Sequence, residues 1–131
     1  MITLTIKTSF RTEFLDITNQ IRQIISDGGI AEGTALIYVP HTTAGVTINE
    51  AADPSVVHDM NTKLSELVPV EKSYRHTEGN SDAHIKASLM GSSVHLIISD
   101  SKPVLGIWQG VFFCEFDGPR TRQAHIKLIS G

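Results

Sequence analysis

The chain opens with an alternation of apolar and polar side chains. The apolar members of this alternation are Ile2, Leu4, Ile6 and Phe10. A two-residue period is typical of a β-strand that buries one face. The sequence therefore predicts that the protein begins with a strand, with threonines, Lys7 and Ser9 on its exposed face.

Three segments have the spacing of amphipathic helices, with polar residues to begin them and glycine or proline to end them. The predicted helices run from Thr18 to Gly28, from Asp53-Pro54 to Pro69, and from Asn80 or Ser81 to Gly91. Thr18 and Asp53 are the predicted N-caps of the first two, and proline suits the first helical position of the second. Residues 69–79 carry charges without a period, which predicts a loop.

Apolar or alternating runs predict the remaining strands. These runs are Ala35–Val39, Val46–Asn49, Val94–Ser99, Gly106–Phe116 and Gln123–Leu128. Residues 101–103 resemble a turn, and Gly118-Pro119 breaks the chain before the last strand. Strands and helices mix without regular alternation, linker or repeat. We therefore expect one compact α+β domain over residues 1–131, with a largely antiparallel mixed sheet and about three helices.

Composition narrows the classes of function. The 131 residues are 40% hydrophobic and 19% charged, with 11 Lys and Arg against 14 Asp and Glu and a net charge of -3. A mildly acidic chain without basic runs disfavours a general binder of nucleic acid or of anionic membranes. No apolar stretch approaches bilayer length and no signal-peptide pattern begins the chain, so a cytoplasmic location is expected. The single cysteine, Cys114, lies in an apolar run and is predicted to be a core residue.

The histidine content is the one feature of the composition that indicates a catalytic or ligand-binding role: the chain has six histidines but only two tyrosines and one tryptophan. A surface or packing role is expected for the three that lie beside apolar stripes or inside alternating strands, namely His58, His95 and His125. His41 instead begins the polar stretch 41–50. If that stretch is extended, one side presents His41, Thr43, Thr47 and Asn49, with Glu50 at the end as a proton acceptor. The alternative for this stretch is a solvated, threonine-rich face.

His76 lies in the predicted loop, and His84 lies in the first turn of the third helix. The positive end of the helix dipole favours a neutral imidazole at His84, which can then be a base or a metal ligand. Ala87, Ser88 and Gly91 are small and leave room for a ligand beside it. The spacing of the two histidines is not a recognised zinc signature, so metal binding and a plain surface role both stay open.

Two carboxylates interrupt the apolar face of the predicted strand Gly106–Phe116, one within the strand and one directly after it. The polar members that share this face are Gln109, Glu115 and Asp117. Buried acids need partners, and Arg120 and Arg122 follow closely. Either an internal salt bridge stabilises the turn, or the acids orient an arginine for a phosphate or carboxylate. The sequence contains no glycine-rich phosphate loop, nucleophile elbow or paired-cysteine motif, which disfavours kinase, dehydrogenase and serine-hydrolase schemes.

Four ordered motifs make the chain similar to the YjbQ-like family, also called the secondary thiamine-phosphate synthase family. The motifs are Pro40–Gly45; Asn49-Glu50 with Asp53-Pro54 and Asp59; His76 with Asn80 and Ala83-His84; and Gly106 with Trp108-Gln109 and Glu115–Arg120. The resemblance spans nearly the whole chain. It implies a homotrimer of α+β subunits with a polar pocket near a subunit boundary. It also implies a secondary activity that joins a hydroxymethylpyrimidine diphosphate to a thiazole phosphate, making thiamine phosphate.

The residues and the resemblance together predict one site, which binds a small phosphorylated molecule. We expect the catalytic residues to be His41, Glu50, His84 and Arg120; the substrate-binding residues to be Thr42, Thr43, Asn49, Gln109, Asp117 and Arg120; and the metal ligands to be His41, His76 and His84. Arginine, histidine and a divalent cation would stabilise the departing diphosphate. Zinc is the first expectation for the metal, and magnesium if the substrate is a diphosphate.

Two other functions are compatible with the same residues. Three imidazoles can hold zinc with one position left for water, which gives a hydrolase or lyase with Glu50 as the base. Alternatively, the three histidines are recognition groups of a non-catalytic trimer that binds a phosphorylated metabolite.

Overall fold

The computed structural model describes residues 1–131, which form eight strands and three helices. Their order is β1 (Ile2–Lys7), β2 (Glu13–Asp16), α1 (Thr18–Asp27), β3 (Gly33–Tyr38), β4 (Ala44–Glu50), α2 (Pro54–Leu67), α3 (Ser81–Met90), β5 (Ser93–Ser99), β6 (Lys102–Pro103), β7 (Gln109–Glu115) and β8 (Thr121–Ser130). The predicted α+β class with three helices is confirmed. No helix has both the length and the apolar character that crossing a membrane requires.

The strands form two sheets, where the sequence predicted one mixed sheet. The larger sheet has the order β1-β8-β3-β5-β6 and the smaller has the order β2-β7-β4, and every neighbouring pair is antiparallel. A cluster of 15 buried residues draws its side chains from both sheets and from α1. The core therefore lies between the inner faces of the two sheets, with Ile21 and Ile25 of α1 fully buried in it.

The first predicted strand is shorter than its alternation indicates. β1 ends at Lys7, and Phe10 is 66% exposed. The Glu13 carboxylate accepts the backbone N–H groups of Ser9 and Phe10, which turns the chain into β2, a strand that the sequence analysis missed. A local side chain to backbone bond thus overrides the hydrophobic period.

Capping differs among the three helices. Asp53 caps α2 as predicted, since its carboxylate accepts the N–H of Ser55 at 2.9 Å. Thr18 is not the N-cap of α1: its hydroxyl donates to Asp16 and accepts the N–H of Val111, which ties α1 to β7. Asn80 occupies the N-cap position of α3, but its side chain makes no capping bond.

Residues 101–109 also differ from the prediction. Lys102 and Pro103 form the short strand β6 on the edge of the larger sheet rather than part of a turn. β7 begins at Gln109, because residues 106–108 make a turn closed by the N–H of Gln109 to the carbonyl of Gly106. Ile107 and Trp108 are consequently exposed instead of continuing the strand.

Helix α3 packs on the smaller sheet and fixes one wall of the site described below. Its Ala83 and Ala87 contact the buried Cys114, whose thiol has its pKa raised to about 12 by burial. Gly45 allows the close approach, since a Cβ there would lie 2.6 Å from the carbonyl oxygen of Gly91. The predicted core role of Cys114 and the helix stop at Gly91, with its φ of 94°, agree with this packing.

A buried ion cluster on α3 holds the helix to the chain before β2. Asp82, 1% exposed, accepts two hydrogen bonds from the Arg11 guanidinium at 3.1 and 3.2 Å. The Lys86 ammonium lies 3.7 Å from the same carboxylate. Burial lowers the pKa of Lys86, although the charge of Asp82 acts in the opposite direction.

Candidate functional site

A polar cavity lies between α3 and the chain entering β4. Its volume is about 490 Å³, and it is lined by His41, Thr42, Ala44, His84, Ala87, Ser88, Gly91 and Ser92. The small residues Ala87 and Ser88, about one turn beyond His84, and Gly91, about two turns beyond it, leave this space open, as expected from the sequence. Sites for small molecules have volumes of about 300–1,000 Å³, so the cavity has room for a metabolite.

His41 is fixed by a bond to β8. Its Nε2 accepts the backbone N–H of Gln123 at 2.9 Å. If the register that pairs Tyr38 with His125 continued, Pro40 would lie opposite Gln123. However, β3 ends at Tyr38, so Pro40 does not pair with Gln123. The imidazole therefore satisfies a strand N–H that would otherwise lack a partner.

This bond determines which proton His41 can offer. A neutral imidazole has one lone pair, and at His41 it is Nε2 that uses it, so Nδ1 carries the hydrogen. Burial first, and the charge of Arg122 second, lower the pKa of His41, which favours the neutral ring. His41 is thus a fixed N–H donor at the edge of the cavity.

His84 and His76 lie against each other. Their ring centroids are 5.5 Å apart and their planes meet at 87°, an edge-to-face contact. Of these two, only His84 lines the cavity, while Nε2 of His76 lies 3.6 Å from the Glu78 carboxylate. The structure therefore brings His76 and His84 together, with His41 on the same cavity as His84.

The guanidinium of Arg120 is bonded to Asp117 on one side, and the N–H groups at its tip are free. Its Nε donates to the carbonyl of Asp117 at 2.9 Å and its Nη2 donates to the Asp117 carboxylate at 3.1 Å. A guanidinium has five N–H groups, so three stay free on a side chain that is 49% exposed. Asn80 also donates to this carboxylate at 2.9 Å, and its own Oδ1 is buried without a partner.

The second predicted acid, Glu115, is fully buried and paired with Arg122. Nε of Arg122 lies 2.9 Å from Oε1 of Glu115, and its Nη2 donates to Thr43 at 2.8 Å. Burial raises the pKa of Glu115, but hydrogen bonds from Arg122 and Thr8 outweigh it, and the net pKa is below the ordinary value. Each of the two acids therefore has an arginine, as the sequence analysis predicted.

Thr43 serves the structure and does not face the cavity. It is 5% exposed, and its hydroxyl and carbonyl both accept from Arg122. β4 begins at Ala44, so His41 and Thr43 are not part of the extended polar wall that the alternation predicted. The chain instead bends before the strand, which turns Thr43 inward.

Three predicted site residues lie elsewhere in the subunit. Asn49, Glu50 and Gln109 line a separate cavity of about 370 Å³ with Ile48 and Trp108. Asn49 and Glu50 occupy the far end of β4, where Gln109 of β7 pairs with Glu50, and a strand of this length spans about 20 Å. Within one subunit, Glu50 is therefore too far from His41 and His84 to act as their base; its carboxylate accepts the N–H of Asp53.

The predicted three-histidine metal site does not fit this arrangement. The lone pair that His41 would give to a metal already accepts the N–H of Gln123. No group of three or more His, Cys, Asp and Glu side chains is placed to hold a metal ion. His76 and His84 alone are two ligands, fewer than a structural or catalytic zinc site uses.

Thr8 also belongs to this arrangement, although no sequence pattern indicates it: its hydroxyl contacts both Glu115 and the backbone of Arg120. It lies one residue past β1 and about 110 residues from its partners, so no local pattern connects them. Of the three histidines that were set aside, His58 and His95 are exposed and His125 bonds Thr3 on the outer sheet face.

The lowered pKa of His41 predicts a pH dependence of stability. The unfolded chain, with an ordinary histidine pKa near 6.5, takes up a proton before the folded protein does. The free energy of unfolding is therefore expected to fall as the pH drops below about 6.5, until the pKa of the folded state is reached. Melting temperatures measured from pH 8 to pH 5 check this.

His41→Gln should flatten that part of the profile, while His58→Gln, a change at an exposed histidine, should leave it unaltered. An equal slope in the His41→Gln variant would contradict the assignment.

Taken together, the two antiparallel sheets, three helices and a histidine-bordered polar cavity define an α+β protein with a cavity of metabolite size. The chain belongs to the UPF0047 protein YjbQ-like family, whose model matches residues 2–131. It is 58% identical to a UPF0047 protein of Methanocaldococcus jannaschii over 95% of this chain and 90% of that protein. It is 52% identical to YugU of Bacillus subtilis over 97% of both chains.

Solved structures of the family agree with the fold. A Clostridium acetobutylicum protein of the YjbQ/UPF0047 family superposes with a TM-score of 0.96 at 50% identity, covering 98% of this chain and all of that one (100%). A YbjQ-like protein of unknown function from Sulfolobus solfataricus gives 0.94 at 32% identity, covering 99% and 96%. Membership of this uncharacterised family establishes the fold and brings no activity with it.

Proposed function

We propose that the cavity between His41 and His84 binds a small phosphorylated molecule and catalyses a transfer of the thiamine-phosphate synthase type. One observation carries the proposal: His41, a fixed N–H donor, lines the cavity and is bonded to Gln123, three residues after an arginine whose tip is free.

The donors that line the cavity, together with Arg120 on the segment before β8, suit phosphate oxygens. Arg120 offers N–H groups in a planar fork, which matches phosphate geometry better than a lysine does. His41 offers Nδ1–H without carrying a full charge, and Thr42 and Ser92, which each have a hydroxyl, line the cavity. Because Asp117 and Glu115 are each paired with an arginine, their negative charges oppose an incoming anion less.

The proposed reaction needs little acid or base work. The C–O bond between the pyrimidine methylene and the diphosphate breaks, and its electron pair leaves with the diphosphate. The thiazole nitrogen uses its lone pair to form the new C–N bond, so no proton is transferred. Arg120 and His41 would donate hydrogen bonds to the leaving oxygens, whose charge increases in the transition state. The distance of Glu50 from this pocket is compatible with a step that needs no base.

The divalent cation of this proposal is magnesium that accompanies the diphosphate substrate. It would neutralise charge on the leaving group when bound. A zinc hydrolase or lyase is less well supported, because His41 lacks the free lone pair that the site would need. A non-catalytic binder of a phosphorylated metabolite uses the same pocket and differs only in the absence of turnover.

We also propose that the subunits form a homotrimer in the cytoplasm. Apolar side chains left exposed on one subunit support self-association, among them Leu67, Ile97, Ile107 and Trp108, between 63% and 95% exposed. No residue of α2 is buried within the subunit, although its sequence has an apolar stripe. Native mass spectrometry should give three times the 14.3 kDa subunit mass, and a monomer at micromolar concentration would contradict the proposal.

A turnover assay tests the proposed function. Purified protein with magnesium, the pyrimidine diphosphate and the thiazole phosphate should form thiamine phosphate and release diphosphate in equal amounts. His84→Ala should lower the rate about tenfold or more by removing a cavity wall and a polar partner. His58→Ala, a matched change at an exposed histidine, should leave it unchanged.

Three results count against parts of the proposal. Saturable diphosphate binding without product favours the non-catalytic binder. Product formation that His84→Ala leaves intact removes this cavity from the reaction. Absence of both binding and product contradicts the proposal as a whole.

A further inference from the structure

We infer that Thr8 is a positioning residue for the phosphate-binding arginine, acting through a buried tie that also holds the His41 segment. The tie consists of Thr8, Glu115, Arg122 and Thr43. The inference rests on the proposed function, since it concerns how Arg120 is presented to an anion. Thr8 itself lies under Arg120, buried to 9% exposure.

Thr8 makes hydrogen bonds to both the N–H and the carbonyl of Arg120. Its hydroxyl accepts the N–H of Arg120 at 2.9 Å, and its own N–H donates to the carbonyl of Arg120 at 3.0 Å. The hydroxyl has one proton to donate, and two acceptors lie within reach, Oε1 of Glu115 at 2.8 Å and the Arg120 carbonyl at 3.0 Å. The carboxylate is the stronger acceptor, and the carbonyl already has the Thr8 N–H, so the proton goes to Glu115.

The other end of the tie reaches the cavity wall. Glu115 accepts from Arg122, and Arg122 donates to both the hydroxyl and the carbonyl of Thr43. Thr43 follows Thr42, which lines the cavity next to His41. One buried carboxylate therefore fixes the Arg120 backbone on one side and the His41 segment on the other, and so sets the spacing between the two proposed donors.

The packing around Thr8 leaves the segment little freedom to adjust. A Cβ on Gly118 would lie 2.8 Å from the Thr8 hydroxyl and 2.9 Å from Cγ of Glu115. Gly118 therefore brings the turn before Arg120 directly onto the tie. Removing the Thr8 hydroxyl leaves the Arg120 N–H without a partner, so that one of the two backbone bonds between Thr8 and Arg120 is lost. We expect the Arg120 guanidinium then to move away from the position in which it binds the anion.

The test is a comparison of diphosphate binding among variants, measured by isothermal titration calorimetry with inorganic diphosphate and magnesium. Thr8→Val keeps the shape and removes the hydroxyl, and it should weaken binding about tenfold. Thr8→Ser keeps the hydroxyl and should stay within about twofold of the wild type. Thr3→Val, which removes an exposed hydroxyl bond from β1 to His125 of β8, should leave the affinity unchanged.

A double-mutant cycle separates positioning from general destabilisation. If Thr8 acts through Arg120, the loss caused by Thr8→Val should nearly disappear when Arg120→Ala is already present. A purely structural role would give the same fractional loss in both backgrounds, and that result overturns the inference. Should Thr8→Val fail to fold, Thr8→Ala removes the same hydroxyl and takes its place in the cycle.

The inference and the proposed function fail in different ways. If the wild type binds diphosphate and Thr8→Val binds it equally well, the inference is overturned and the proposed function is not. If the wild type binds no diphosphate, both are overturned together.

Discussion

Arg122→Met is expected to lower the free energy of unfolding by about 3–5 kcal/mol, because it leaves a buried charge without its partner. Glu115 is fully buried and Arg122 is 3% exposed, so water cannot replace the lost hydrogen bonds. Thr43 loses its donor in the same change. Methionine keeps much of the arginine volume, so the loss reports mainly the uncompensated carboxylate.

Urea denaturation measures this effect, and an exposed ion pair supplies the control. Lys63→Met removes a pair with Glu66 at 3.5 Å on the surface of α2 and should change stability by less than about 1 kcal/mol. Adding Glu115→Gln to Arg122→Met should recover part of the loss, since it removes the buried charge. A loss no larger than that of Lys63→Met would show that the Glu115–Arg122 pair does not stabilise the site.

Arg120→Ala is expected to lower kcat/KM of the proposed transfer about 10²–10³-fold, the usual loss when one donor to a developing negative charge is removed. Its side chain is half exposed and paired at its base with Asp117, so folding should change little. Arg120→Lys should recover only part of the activity, because an ammonium cannot keep the two bonds to Asp117 and a fork toward the anion.

The matched control for this prediction is Arg22→Ala, at an exposed arginine of α1 outside the His41 cavity. It should keep the wild-type kcat/KM under the same conditions. A loss of less than about threefold in Arg120→Ala would remove Arg120 from the set of residues that stabilise the leaving group.

Periodicity in the sequence predicts most of the helices and strands, because burial on one face determines them locally. α2 and α3 begin and end close to their predicted bounds, and the final alternation corresponds to β8 with extra residues at both ends. The exceptions arise where side chains compete with the period. Glu13 turns the chain before Phe10 can join β1, and Gln109 closes a turn that delays β7.

The candidate site is only partly predictable, for a physical reason. Glu115 and Asp117 fall on the same, otherwise apolar face of the predicted strand, which predicts that both acids have arginine partners. The free-energy cost of burying a carboxylate without a partner is the reason. Strand parity does not indicate that Thr43 turns inward, nor that residues 49 and 50 lie at the far end of β4, a strand about 20 Å long, from the chain that carries His41.

Long-range hydrogen bonds are the other part that the sequence does not reveal. The bond from Gln123 to His41 depends on where β3 ends beside β8, and the role of Thr8 depends on a turn that returns the chain beside β1. Each joins residues about 80 to 110 positions apart. The predicted set of metal ligands includes His41 because spacing carries no information on which ring nitrogen is already in use.

The most direct test of the His41 cavity as a phosphate site is a titration of the wild-type protein with inorganic diphosphate, followed through the imidazole nitrogen signals of its six histidines by NMR. The proposal predicts a saturable shift of the His41 Nδ1–H signal, with Nε2 staying an acceptor for Gln123, and a smaller shift at His84. Changes confined to the outer histidines His58, His95 and His125, or no change at all, would contradict it.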